Sequence, residues 1–192
     1  HHHAIHAEGP VLRADPGVQF IFLRANRYLL ELARLLDMDA SYDEIQGWID
    51  LVSAGCDWLW NDRVGGYCAR DIRSGGFSDA ITNASMLSFY GDVGTSEQRA
   101  SMAEHCRRIL AACQYGMPSW DPEHPDFESR RYWRGPVWAI MNHMITTGLA
   151  DAGEEALAER VRSDTNRLVE TQGMAEYFDP IDGTGLGGMD FS

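Results

Sequence analysis

Apolar residues recur along this chain at the spacing of one helical face six times, in three successive pairs, and nothing else in the sequence constrains the fold as much. A helix apolar along one stripe must bury that stripe against a neighbour, and helical pairs repeated in series stack as hairpins. Pro16 suits a first helical position, and Val18, Ile21, Phe22, Ala25, Leu29, Leu32, Ala33 and Leu36 predict a buried face over 15–36. Leu23 and Leu30 lie off that face, so this helix is open to cover on both sides. A second helix is expected over 42–60, with Ser41 as N-cap, Glu44 completing a capping box, and a stripe from Ile45 and Trp48 to Leu59 and Trp60. A shorter third spans 81–90, stopped by Gly91. The fourth opens on a capping box of Thr95 and Gln98 and carries Met102, Cys106, Ile109, Leu110 and Cys113. Pro136 is expected to open the fifth, with Val137, Ile140, Met141, Met144, Ile145 and Leu149 inward. The sixth covers 154–172, with Leu157, Val161 and Leu168 on one side and Gly173 as its stop.

The odd helices are more evenly apolar or carry aromatics, and the even ones are amphipathic, as an inner and an outer layer would be. The predicted class is therefore all-α, a toroid of α-hairpins. A closed ring of this type takes six hairpins and about three are here, so apolar edges are left for further hairpins or a second copy of the chain to cover. The glycine-rich 61–77 reads as an irregular arm or small hairpin, and 117–131, with three prolines, as a long loop of the kind that carries function. Residues 1–10 read as a tag or leader, His1 to His3 being set aside, and 11–192 as one unit.

Composition excludes several classes. Apolar residues are 44% and charged residues 23% of 192, ordinary for a globular protein able to bury a sizeable core. A net charge of −13 argues against nucleic acid and anionic membranes as partners. No window approaches the ~18 apolar residues of a membrane span, and no secretory pattern is visible at the start. Cys56, Cys68, Cys106 and Cys113 have no metal-binding spacing and read as buried thiols of a reducing, cytoplasmic compartment.

The densest chemistry runs from Arg130 to Trp138: three guanidinium groups and three large aromatics in nine residues, at the expected mouth of the fifth helix. Such a mouth offers an apolar surface with a few fixed donors. Trp133 and Trp138 are candidate apolar platforms for a ligand, Tyr132 and Tyr177 candidate hydroxyl contacts, and Gly135 a point of close backbone approach. Arg134 either binds ligand hydroxyls, holds a carboxylate ionised, or forms a structural ion pair. Arg130 and Arg131 read as loop anchors, His143 as a core or supporting histidine, and Asn142 as facing the cavity.

Tyr132-Trp133-Arg134-Gly135-Pro136-Val137-Trp138 with Asn142 resembles the signature of glycoside hydrolase family 63 and its trehalase-like relatives. Glu176-Tyr177-Phe178-Asp179-Pro180, with Gly183, Gly185, Leu186, Gly187, Asp190, Phe191 and Ser192, resembles the second signature. Asp15-Pro16 and Leu23-Arg24-Ala25-Asn26 extend the likeness, which is greatest to the mannosylglycerate and glucosylglycerate hydrolases of that family and runs from about Val11 to the end. The resemblance implies an (α/α)6 barrel of which this chain is the C-terminal half, and inverting hydrolysis of a small α-glycoside without metal or organic cofactor. It implies Glu176 as general base, Trp133 and Trp138 as platforms for the C–H face of a pyranose, and sugar hydroxyls as the groups that Arg134, Tyr132 and Tyr177 would meet. The family's general acid, an aspartate in an upstream motif, has no match here, and Asp121, Asp126 and Asp179 are not expected to replace it. Glucosylglycerate or mannosylglycerate is the expected substrate. A trehalase-like or gluco-oligosaccharide substrate is the enzymatic alternative. A carbohydrate-binding half-barrel without activity, or a toroid scaffold with no sugar site, is the non-enzymatic one.

Overall fold

The computed structural model describes residues 12–188. The leader assigned to 1–10 and the last three residues of the second signature, Asp190 to Ser192, lie outside the described residues.

Helix α1 (Pro16–Leu35) starts where the sequence directs, with the Asp15 carboxylate accepting from Val18 N–H at 3.2 Å and Pro16 in the first turn. Helix α2 (Tyr42–Cys56) packs against α1, and α6 (Glu155–Gln172) against α5 (Ala139–Asp151). The third helix shrinks to one turn, α3 (Asn83–Met86), followed by tight turns to Asp92, and it touches both α1 and α5. The odd helices are thus neighbours in one layer. Helix α4 (Ser96–Ala112) has both halves of its expected capping box: Gln98 N–H reaches Thr95 Oγ1 at 3.2 Å and Thr95 N–H reaches Gln98 Oε1 at 2.8 Å. Gly173 closes α6 with a positive φ of 75°.

Three two-stranded ladders stitch the helices together. Strand β1 (Arg13–Ala14) pairs with β4 (Arg70–Asp71), β2 (Trp60–Asn61) with β3 (Gly66–Tyr67), and β5 (Tyr177–Phe178) with β6 (Gly185–Leu186), all antiparallel. The expected arm over 61–77 thus contains the second strand of a small hairpin, β2–β3, and then β4, which pairs back with β1. One core joins Phe20, Leu23, Leu59, Tyr67, Met86, Leu87, Met102, Ile109 and Ile145. All four cysteines are unpaired and buried. Burial raises their thiols, Cys56 and Cys68 to about 11 and Cys106 and Cys113 to about 12. Among the described residues, no helix is long and apolar enough to cross a membrane.

Four sequence expectations are corrected. The first concerns which side of α1 is covered: Phe20, Leu23, Asn26, Leu30 and Ala33 are buried, whereas Val18, Ile21, Phe22, Leu29, Leu32 and Leu36 are exposed. Both sides are apolar, and the richer one has no described element against it. Second, Ser41 caps nothing, because it ends a 3-10 turn over Asp39–Ser41 and its own backbone is helical. The second helix stops at Cys56, and Trp60 lies in a strand. Third, only Asn83–Met86 of 81–90 is helix, and 87–90 is turn. Gly148 of α5 lies against that turn, where any Cβ would stand 2.2 Å from Tyr90 N, so the close crossing requires glycine. Fourth, Pro136 does not open α5. Val137 instead exchanges both backbone hydrogen bonds with Phe178, at 2.8 and 2.9 Å, and α5 begins at Ala139, leaving Ile140 exposed.

Candidate active site

The Val137–Phe178 bridge brings the segment before α5 against the segment after α6, joining two stretches some forty residues apart. On one side of it lie Tyr132, Trp133 and Trp138, on the other Glu176 and Tyr177. The half-buried Glu176 accepts a hydrogen bond from Tyr132 Oη at 3.0 Å, through Oε1. That bond is the first cause raising the Tyr132 phenol above its ordinary value, since losing its proton beside a carboxylate is unfavourable. The Tyr132 backbone is left-handed, with φ 33°, a strained state for a residue with a Cβ. It is held by Trp138, whose indole N–H donates to Tyr132 C=O at 3.0 Å.

The aromatics form a stack rather than an open row. Trp133 lies on Trp138 with ring centres 4.1 Å apart and planes 5° apart, and Trp138 lies on Tyr177 at 5.0 Å and 29°. Tyr132 meets all three rings edge-on. Both faces of Trp138 are therefore covered and it is 7% exposed, so it offers an edge and supports Trp133. Trp133 keeps its outer face and is 45% exposed. Gly187 packs on Glu176 with φ 83°, where a Cβ would stand 2.6 Å from both Glu176 Cβ and Oε2. The second signature contained Gly187, but spacing alone carried no sign that it touches the carboxylate.

The arginines do not face Glu176. Arg134 pairs with Glu128 in a short ion pair, Arg131 joins the same carboxylate at 3.6 Å, and Glu128 N–H closes the turn on Arg134 C=O at 2.9 Å. Of the roles open to Arg134, the structural ion pair is the observed one. Gly135 is likewise structural: a Cβ there would stand 2.1 Å from Glu128 C=O, so its close approach is to this turn. Arg130 anchors the loop as expected, holding Asp179 through Nε and Asp182 through a terminal nitrogen, each at 2.6 Å. Asn142 is fully buried and borders a cleft between α5 and α6 that Glu176 does not line. Its amide meets Thr165 Oγ1 at 3.0 Å and in the complementary orientation also both backbone groups of Met117. His143 is exposed at the surface of α5 rather than in the core.

Two of the three aspartates set aside as acid are engaged elsewhere. Asp179 is 2% exposed and accepts from Arg130, Ser129 Oγ and Ile181 N–H. Asp121 is gripped by Arg108 through two hydrogen bonds of 2.9 and 2.6 Å. Burial alone would raise its carboxyl, but the Arg108 contacts and Glu123 N–H outweigh burial and hold it below the usual range. Asp126 lies exposed, and it is its backbone N–H, not its carboxylate, that bonds to His124. Among the described residues, no group of three or more His, Cys, Asp or Glu side chains is placed to hold a metal ion.

Comparison with known proteins places this geometry. The model of the mannosylglycerate hydrolase MGH1-like glycoside hydrolase domain matches residues 1–192. The chain is 37% identical to mannosylglycerate hydrolase MGH1 of Selaginella moellendorffii over 188 residues, 98% of this chain and 38% of that protein. It is 37% identical to the mannosylglycerate hydrolase of Thermus thermophilus over 188 residues, 98% of this chain and 45% of that one. The crystal structure of a family 63 mannosylglycerate hydrolase from Thermus thermophilus in complex with glucose superimposes with a TM-score of 0.87 at 38% identity. That match covers 92% of this chain and 44% of the other. The fold is that of the family's (α/α)6 barrel, and the chain spans less than half the length of the relatives it matches.

Proposed function

The chain belongs to the mannosylglycerate hydrolase MGH1-like glycoside hydrolase family, and from that premise we propose that it forms the base-bearing part of an inverting α-glycosidase. The carrying observation is the Tyr132–Glu176 hydrogen bond beside the open face of Trp133: a positioned carboxylate next to a sugar platform. In the proposed reaction Glu176 takes a proton from water while the water oxygen bonds to the anomeric carbon from the face opposite the leaving group. The glycosidic C–O bond breaks, and its oxygen leaves with a proton from an acid. Room for that water requires the two carboxyl groups to stand roughly 6.5–9.5 Å apart. Asp121 and Asp179 are each held by an arginine elsewhere and Asp126 lies exposed in the proline-rich loop, so the acid is assigned to the part of the barrel beyond this chain. Two-carboxylate hydrolysis calls for no metal or organic cofactor.

Hexosyl glycerates are the proposed substrates, mannosylglycerate foremost because it is the substrate named for the relatives at 37% identity. The test uses the complete barrel with mannosylglycerate, glucosylglycerate, trehalose and kojibiose, the product anomer being followed by NMR. Glu176→Gln is expected to abolish turnover while sugar binding persists; undiminished turnover overturns the base assignment. The ion pairing of Asp121 and Asp179 also favours a narrower reading of the 192-residue chain by itself, as a carbohydrate-binding half-barrel without hydrolytic activity. Hydrolysis by the purified chain alone would refute that reading.

A further inference from the structure

A cleft of about 320 Å³ lies between the first turns of α1 and α3, walled by Val18, Ile21, Met141, Trp120 and Trp133. Asn83 lines it, is 4% exposed, and its amide nitrogen has no hydrogen-bond partner. The indole nitrogen of Trp120 is also buried without a partner. Native proteins leave few such donors unmet, because each costs its full desolvation. These two come from facing backbone segments, since Thr82 bridges Trp120 and Asn83 N–H reaches Ser119 C=O at 3.4 Å. Trp120 borders a neighbouring polar depression around His124 and Asp79 as well, so Asn83 is the firmer of the two.

The lining narrows the chemistry of what would meet these donors. It is mostly apolar, its Trp133 ring has one face taken by Trp138, and the Asp15 carboxylate on the rim disfavours a second anion. A neutral, hydroxyl-rich ring with an apolar face fits all three conditions. We propose that Asn83 is a specificity-determining contact of the sugar site already placed at Trp133: the pyranose on Trp133 extends into this cleft and the Asn83 amide donates to one of its hydroxyl oxygens, with Trp120 N–H as a second donor. The proposal rests on the glycosidase reading for the class of ligand, and on the unmet donors for the residues.

The experiment measures binding rather than turnover. Mannose, glucose and their monodeoxy analogues are titrated calorimetrically into the complete barrel, its Asn83→Ala and Asn83→Asp variants, and Trp120→Phe. Losing one hydrogen bond to a neutral hydroxyl is expected to weaken hexose binding about five-fold in Asn83→Ala. One deoxy sugar should bind wild type as weakly as the variant binds the parent hexose, and the variant should lose nothing further on that sugar. Asn83→Asp keeps the shape but turns the donor into an acceptor, so it should weaken binding even if Asn83→Ala fails to fold. Unchanged affinity in the folded Asn83 variants, an equal loss on every deoxy sugar, or no hexose binding by wild type overturns the proposal. Hydrolysis that proceeds with Asn83 indifferent refutes the Asn83 contact alone. Hexose binding of the expected pattern without hydrolysis of any panel glycoside refutes the glycosidase reading alone.

Discussion

The phenol of Tyr132 donates to Glu176 Oε1 at 3.0 Å from a backbone held at φ 33°. A left-handed tyrosine is costly, and the Trp138 indole N–H on its carbonyl and three edge-on aromatic contacts keep it there. The strain points the hydroxyl at the carboxylate, so we assign Tyr132 the positioning of Glu176. Tyr132→Phe keeps the ring and removes only the donor. In the complete barrel its kcat should fall about ten-fold, the equivalent of one hydrogen bond to a charged group, while KM changes little. A raised KM at constant kcat would instead make Tyr132 a substrate contact.

Gly187 provides a second route to the same carboxylate. Its φ of 83° and the 2.6 Å that a Cβ would leave to Glu176 Oε2 mean that Gly187→Ala must displace either the turn or the carboxylate. Activity is expected to fall by at least ten-fold with the helical circular dichroism unchanged, since β5 and β6 lie outside the helices. Wild-type kcat in a folded Gly187→Ala variant would show that the contact is incidental.

The loop preceding the aromatic stretch depends on charge. Asp121 is held below the ordinary carboxylate range, so its pairing with Arg108 stabilises the fold above the unfolded value of about 4. That contribution disappears as pH falls through the lower folded value. Proteolytic protection of 117–131 should therefore be constant near neutrality and decline below about pH 4. Asp121→Asn should lower stability by about 2 kcal/mol at pH 7 in denaturant titration, and by progressively less in acid. A difference that does not shrink with pH would disprove the ion-pair account.

What could be read from sequence follows the range of the forces involved. The α4 capping box and the Gly173 stop were legible because each is satisfied within a few residues. Pro136 misled because helix-opening is a local preference, while the Val137–Phe178 bridge that overrides it joins distant segments. At the site, the motif residues Tyr132, Trp133 and Glu176 were found together, yet Arg134 turned to Glu128, six residues before it, a partner no signature contains. Asn83 and Trp120 escaped because an unmet donor is a property of packing, invisible in spacing.

Helix α1 shows the same lesson from its surface and supplies the last prediction. Its predicted stripe has the periodicity of a buried face, yet Val18, Ile21, Phe22, Leu29, Leu32 and Leu36 are each at least 38% exposed and of the whole stripe Ala33 alone is buried. Periodicity reports that a face is buried, not by what, and here nothing among the described residues covers it. The relatives are more than twice as long as the matched segment, which offers a cover: further hairpins of the ring. The chain alone should then self-associate, and Leu29→Glu with Leu32→Glu should shift it toward monomer in analytical ultracentrifugation without loss of helix. In the complete barrel the same pair should destabilise, by about 1.5–3 kcal/mol for each leucine that is fully buried there. Opposite effects in the two contexts separate a face made for intramolecular packing from one that meets solvent, because a solvated face would leave both unchanged.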